Sequence, residues 1–132
     1  MRHLKLYEDH TPSHPNATIE GMLPAYTAAC SPIEEIGQVN GVRVVAVSRT
    51  ALKGEHPEWG RYLGSHHWGK QTPYIPQDAI WVAQGLSPAE FVRVVHHELL
   101  ERPMMRELQT RHGLTREESW DIAHPIVKSK GF

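Results

Sequence analysis

The stretch from Leu86 to Glu101, Leu-Ser-Pro-Ala-Glu-Phe-Val-Arg-Val-Val-His-His-Glu-Leu-Leu-Glu, constrains the fold of this chain more than any other. It opens with a complete helix-start signal. Ser87 can cap, Pro88 suits the first helical position, and Glu90 can reach back to close a capping box. Just before it, Ala79-Ile-Trp-Val-Ala83 reads as a short strand, and Gln84-Gly85 supplies a tight turn. A strand, a turn and a firmly capped helix in immediate succession predict an α+β domain in which a small sheet packs on this helix. The strand is also placed as an edge along which an extended peptide can lie.

The helix carries His97, Glu98 and Glu101 in the spacing H-E-x-x-E. Residues four apart lie nearly above one another on a helix, so His97 and Glu101 can hold one metal ion between them. Glu98 is rotated by about 100° from His97. That sets a carboxylate beside the pair but outside it, the position of a general base. On a helical wheel Phe91, Val92, Val95 and Leu99 form the apolar stripe, with Glu90, Arg93, His97 and Glu101 broadly opposite. His and Glu at this spacing on a polar face usually form only a solvated surface. Glu98 departs from that pattern, because it falls beside Val94 and Val95 at the stripe's edge, where a plain surface helix places Leu or Ala. His96 is read as flanking.

Upstream, residues 1–33 read as an irregular arm broken by Pro12, Pro15, Pro24 and Pro32, with room for one short helix between Ile19 and Thr27. Asn40-Gly41 is a preferred pair for a two-residue type I′ turn, joining Glu34–Val39 to Gly41–Ser48 in a β-hairpin. The second strand has apolar residues on both faces, the mark of a central strand covered on each side. Residues 52–77 contain Gly54, Pro57, Gly60, Gly64, Gly69, Pro73 and Pro76 and read as a long ordered loop. Within it Tyr62, His66, His67 and Tyr74 are candidates for the wall of a cleft, or else simply pin the loop to the core.

Downstream, Pro103 is expected to stop or kink the motif helix, leaving a second piece from Met104 to about Arg111 with Met105 and Leu108 inward. Gly113 reads as a left-handed cap. Thr115 through Glu118 is another capping box, starting a helix that runs to His124 and meets a boundary or kink at Pro125. The expected architecture is therefore a β-hairpin and small sheet, the motif helix and a C-terminal helical pair, all in one domain over residues 1–132.

Composition narrows the function. Fourteen Lys and Arg against fifteen Asp and Glu give a net charge of −1 without basic runs, which offers nothing to nucleic acid. A single cysteine, Cys30, precludes an intrachain disulfide and fits a reducing compartment. The N-terminus lacks the apolar run of a signal peptide and no segment has the length of a membrane span, so a cytoplasmic protein without membrane contact is expected. Ten histidines in 132 residues is a high count and points to chemistry.

On the last helix Trp120, Ala123 and Val127 mark the inward face, with His124 at its margin. A lone histidine there is ordinarily a satisfied core residue. With His97 and Glu101, however, His124 completes a His₂-carboxylate set, the ligand type of open catalytic zinc sites. The arrangement resembles the gluzincin type of zincin metallopeptidase with ligand identities exchanged: H-E-x-x-E comes first and the histidine of Trp-Asp-Ile-Ala-His124 later. It is closer still to small bacterial and phage proteins with H-E-x-x-E and a downstream Ala-His. The resemblance covers roughly Ala79 to Val127. It implies one zinc ion on His97, Glu101 and His124, with Glu98 as general base and acid, in a hydrolase acting on a peptide or amide bond. Glu101 in place of the usual second histidine lowers the net charge of the site and should make water there less acidic. A zincin-like scaffold that binds metal or a protein partner without catalysis is thus the competing reading. A di-iron carboxylate site would need Glu-x-x-His pairs, and this chain has none.

Overall fold

The structure of the protein, a computed structural model, describes residues 17–132. The expected arm therefore lies partly outside the described residues. Its described part is not irregular throughout: a 3₁₀ turn at Glu20–Met22 runs into helix α1, Leu23–Ala28, where the short helix was expected. Tyr26 is what holds it. The ring stacks on Phe91 at 4.2 Å, and the hydroxyl donates to Ala83 O and accepts from Leu86 N. One phenol thereby fastens the arm to the turn in front of the motif helix.

Four strands form one mixed sheet in the order β1-β2-β4-β3, with β1 at Ile33–Val39, β2 at Val42–Val47, β3 at Gly64–His66 and β4 at Ala79–Ala83. The β1–β2 hairpin turns through Asn40 and Gly41, both at positive φ (49° and 81°), as the Asn-Gly pair requires. Strand β2 is central, antiparallel to β1 and parallel to β4, which accounts for its apolar residues on both faces. Strand β4 is not the edge it was expected to be. The three-residue β3 pairs with it antiparallel, so the edge falls to Gly64–His66.

Period-2 alternation divides the core. Val44, Ala46, Ile80 and Val82 face Phe91, Val94 and Val95 of helix α2, Pro88–His112. Val45, Val47, Trp81 and Ala83 face the other way and are covered by Leu52, Trp59 and Ile75 from the long loop. Trp59 meets Trp81 edge-on at 5.4 Å. The α+β architecture read from the sequence is the one found, with a sheet, the motif helix and a C-terminal helical pair.

Neither proline ends its helix, although a stop was one of the two outcomes expected at each. Helix α2, 25 residues long, continues past Pro103, and helix α3, Arg116–Ser129, continues past Pro125. A mid-helix proline removes one backbone hydrogen bond and costs about 3 kcal/mol. Here the residues beyond each proline repay that by packing. Beyond Pro103, Met105 is buried against Trp68 and Ala123, and beyond Pro125, Val127 is fully buried. The ends follow the sequence signals. Ser87/Glu90 and Thr115/Glu118 form reciprocal capping boxes, and Gly113 closes α2 at φ 67°.

Candidate metal centre

The buried face of α2 is not the apolar stripe of the helical wheel. Phe91, Val94, Val95, Glu98, Glu101 and Met105 are buried, whereas Val92 and Leu99 are only half-buried. Two carboxylates thus continue the core face of the helix, and His97 beside them is 8% exposed. Inward carboxylates demand partners, because a buried charge left unpaired is costly.

Glu101 has three. Its Oε2 lies 3.0 Å from His97 Nε2 and 2.9 Å from His124 Nδ1, and its Oε1 lies 3.1 Å from His66 Nε2. Each histidine comes from a different element: α2, α3 and the edge strand β3. The strand contribution follows from alternation, since Gly64 and His66 face α2 while Ser65 points away and bonds Thr72 at 2.7 Å. Gly64 is there for closeness. A Cβ at that position would stand 2.5 Å from Val94 Cγ1 and 3.0 Å from Glu98 Cγ. Behind the site, Gln109 donates to Trp68 O at 2.8 Å and Arg116 to Gly69 O at 2.9 Å, tying both helices to the turn that follows β3.

The two triads His97–Glu101–His124 and His66–Glu98–Glu101 each bring three ligand atoms within 4.8 Å of one another. Two ligands about 2.0–2.1 Å from a tetrahedral ion lie roughly 3.4 Å apart, so the two contacts of Glu101 Oε2, at 3.0 and 2.9 Å, would open by only a few tenths of an ångström to seat one. Its histidines are prepared for this. His97 Nδ1 faces Phe132 O at 3.0 Å, which orients the ring and directs Nε2 at the site. Trp120 stacks on His124 at 4.3 Å, nearly parallel, with Lys70 Nζ over the far side of the indole. His97 has oxygens, which only accept, opposite both ring nitrogens. The Nε2 contact is attractive only with a proton or a metal ion between the atoms.

The charges divide between the two carboxyls. Burial alone would raise the Glu101 carboxyl, but hydrogen bonds from His66 and His97, with His124 adding to them, outweigh it and hold Glu101 well below the usual range. Glu98 is driven the other way, first by burial and then by the charge of Glu101. Its Oε1 has no hydrogen-bond partner, and the nearest cationic candidate, His66 Nε2, is 3.8 Å away. Burial lowers the His66 pKa against the pull of Glu101 and favours neutral imidazole, the ligating form.

His97, Glu98, Glu101 and His124 floor a cleft of about 200 Å³. Tyr62 and Gly64 stand on its wall, and Arg61, Lys70, Arg93 and Lys128 surround it. Of the cleft-wall candidates, Tyr62 lines it with its hydroxyl on Gln71, and His66 goes deeper than a wall residue, into the cluster itself. The other two belong elsewhere. His67 Nδ1 bonds Ile75 O at 2.9 Å, and Tyr74 packs on Trp81 on the far face of the sheet. His66 as a cluster member and the four cations were not singled out from the sequence. A strand as short as Gly-Ser-His shows no readable periodicity, and the cations are scattered along the chain from position 61 to 128.

No family model matches this chain, and no curated protein or solved structure gives a significant match. What stands on the residues alone is a buried His/Glu cluster able to hold a metal ion. Among the described residues, no helix is long and apolar enough to cross a membrane.

Proposed function

We propose that this protein is a zinc-dependent hydrolase of peptide or amide bonds, with zinc on His97, Glu101 and His124 and with Glu98 as general base. The observation that carries the reading is the convergence of two imidazole nitrogens from separate helices on one oxygen of a buried carboxylate. Two nitrogens and one oxygen are the donor set of hydrolytic zinc, and all three residues line a cleft through which water could reach a bound ion. Bound there, zinc would supply Lewis acidity, lowering the pKa of water toward neutrality and polarising a carbonyl.

The chain's own groups supply the proton chemistry. Glu98 lies on the cleft floor, and its raised pKa brings its proton affinity closer to neutral pH than that of an ordinary carboxylate. It can therefore take a proton from water and pass it to a departing amine. His66 holds Glu101 Oε1, so that Oε2 is left to the metal. Leu63, Gly64 and Ser65 bring the edge strand to the cleft, where an extended peptide can add by main-chain pairing.

The test is hydrolysis of a peptide and small-amide panel by the protein loaded with one equivalent of zinc per chain and by Glu98→Gln loaded alike. The expected result is a loss of ~10²–10⁴-fold with that one zinc retained in both. Activity that survives the substitution would remove Glu98 as the base. A second reading, a non-catalytic zincin-like scaffold, draws on Ile122 and Ile126, exposed at 46% and 42% beside Met104 and Leu108. It predicts no turnover across the panel and a protein partner whose binding is lost in Ile122→Asp.

A further inference from the structure

The triad formed by His66, Glu98 and Glu101 is left over when His97, Glu101 and His124 are taken as one metal site. Its three residues come from β3 and two turns of α2, and all are buried, at 0%, 5% and 4% exposure. The two triads share Glu101 but not the same oxygen. Oε2 belongs to the His97 and His124 side, whereas Oε1 faces His66 Nε2 at 3.1 Å. Glu98 Oε1 lies 3.8 Å from the same His66 nitrogen and has no hydrogen-bond partner. A carboxylate oxygen buried without a donor, beside an imidazole and a second carboxylate, is a place where a cation can be bound.

We propose that His66, Glu98 and Glu101 form a second divalent-cation site, joined to the first through the two oxygens of Glu101. One nitrogen and two carboxylate oxygens make this site harder than the first, suited to zinc or manganese. Two-metal hydrolytic centres hold their ions about 3.5–4 Å apart, and a carboxylate spanning both sites suits that scale. The inference rests on the metal-binding part of the reading above and changes the role of Glu98. A carboxylate bound to a cation is a weaker base than a free one, so filling the second site would blunt Glu98 as a proton acceptor, and a singly loaded protein would keep it.

The experiment is a zinc titration of the metal-free full chain, followed by calorimetry and by native mass spectrometry. The wild type is expected to take up two zinc ions in separate steps. Glu98→Gln, nearly isosteric, should leave the tighter step unchanged and weaken the other by at least ~10-fold. His66→Asn should do the same, and His124→Ala should spare the step that Glu98→Gln weakens. Circular dichroism identifies any variant that has lost its fold, and Glu98→Gln serves in place of a misfolded His66→Asn. A single zinc in the wild type, unaffected by Glu98→Gln, would overturn the second site and leave the proposed function standing. Absence of any bound zinc would overturn both.

Discussion

At the scale of single residues, Glu98 and Glu101 are one turn apart in register and opposite in behaviour. Glu101 is held ionised by three histidines, while Glu98 is pushed toward its neutral form by burial and by Glu101. In metal-free protein this has a signed consequence for stability. The folded pKa of Glu98 lies above the ordinary 4.5, so its penalty is absent below that value, grows as pH rises, and is complete above the folded value. Metal-free Glu98→Gln should therefore melt higher than the wild type at neutral pH, with the difference vanishing near pH ~3. Glu101 runs the other way, its contribution present above 4.5 and lost as pH falls through its lowered folded value. Glu101→Gln should then destabilise the metal-free protein at neutral pH and converge with the wild type in acid, as thermal melts across pH would read. The H-E-x-x-E spacing made His97, Glu98 and Glu101 legible in the sequence because a helix converts spacing directly into a shared face. His66 was only a cleft-wall candidate, because its place depends on strand pairing that three residues do not announce.

At the scale of elements, caps were readable and breaks were not. Ser87/Glu90, Thr115/Glu118, Gly113 and Asn40-Gly41 act through local backbone geometry, which sequence specifies directly. Pro103 and Pro125 act against packing that lies elsewhere in the chain, and packing wins. The long loop illustrates the same limit, since Trp59 is buried and Tyr74 partly buried by a sheet face that no local signal identifies. Two stability predictions follow the observed faces rather than the helical wheel. Met105 is fully buried beyond Pro103, so Met105→Ala should cost about 2–5 kcal/mol in denaturant melts, and half-buried Leu99→Ala clearly less. Gly64→Ala should cost about 1–3 kcal/mol, since its Cβ would meet Val94 Cγ1 at 2.5 Å. Trimming Val94 to Ala in the same chain should recover part of that loss. Simple addition of the two costs would mean that β3 and α2 are not in the close contact described.

At the scale of the whole molecule, a chain of net charge −1 gathers Arg61, Lys70, Arg93 and Lys128 around one cleft. Among the described residues none of the four has an ion-pair partner within 4.0 Å. A field of one sign at a cleft mouth concentrates ligands of the other sign and is screened over about 8–10 Å at ordinary salt. If the protein hydrolyses peptides as proposed, acidic ones should be cleaved faster than neutral ones of the same length, and the advantage should shrink in high salt and in Arg93→Ala. Equal rates at low salt would separate the cations from substrate choice. The proposed function and the second site both depend on a metal ion at Glu101, and zinc content tests that directly. Dialysed wild-type protein should retain at least one zinc per chain by elemental analysis, and Glu101→Gln, folded by circular dichroism, should retain none. Equal zinc in the two proteins, or none in the wild type after zinc loading, would contradict it.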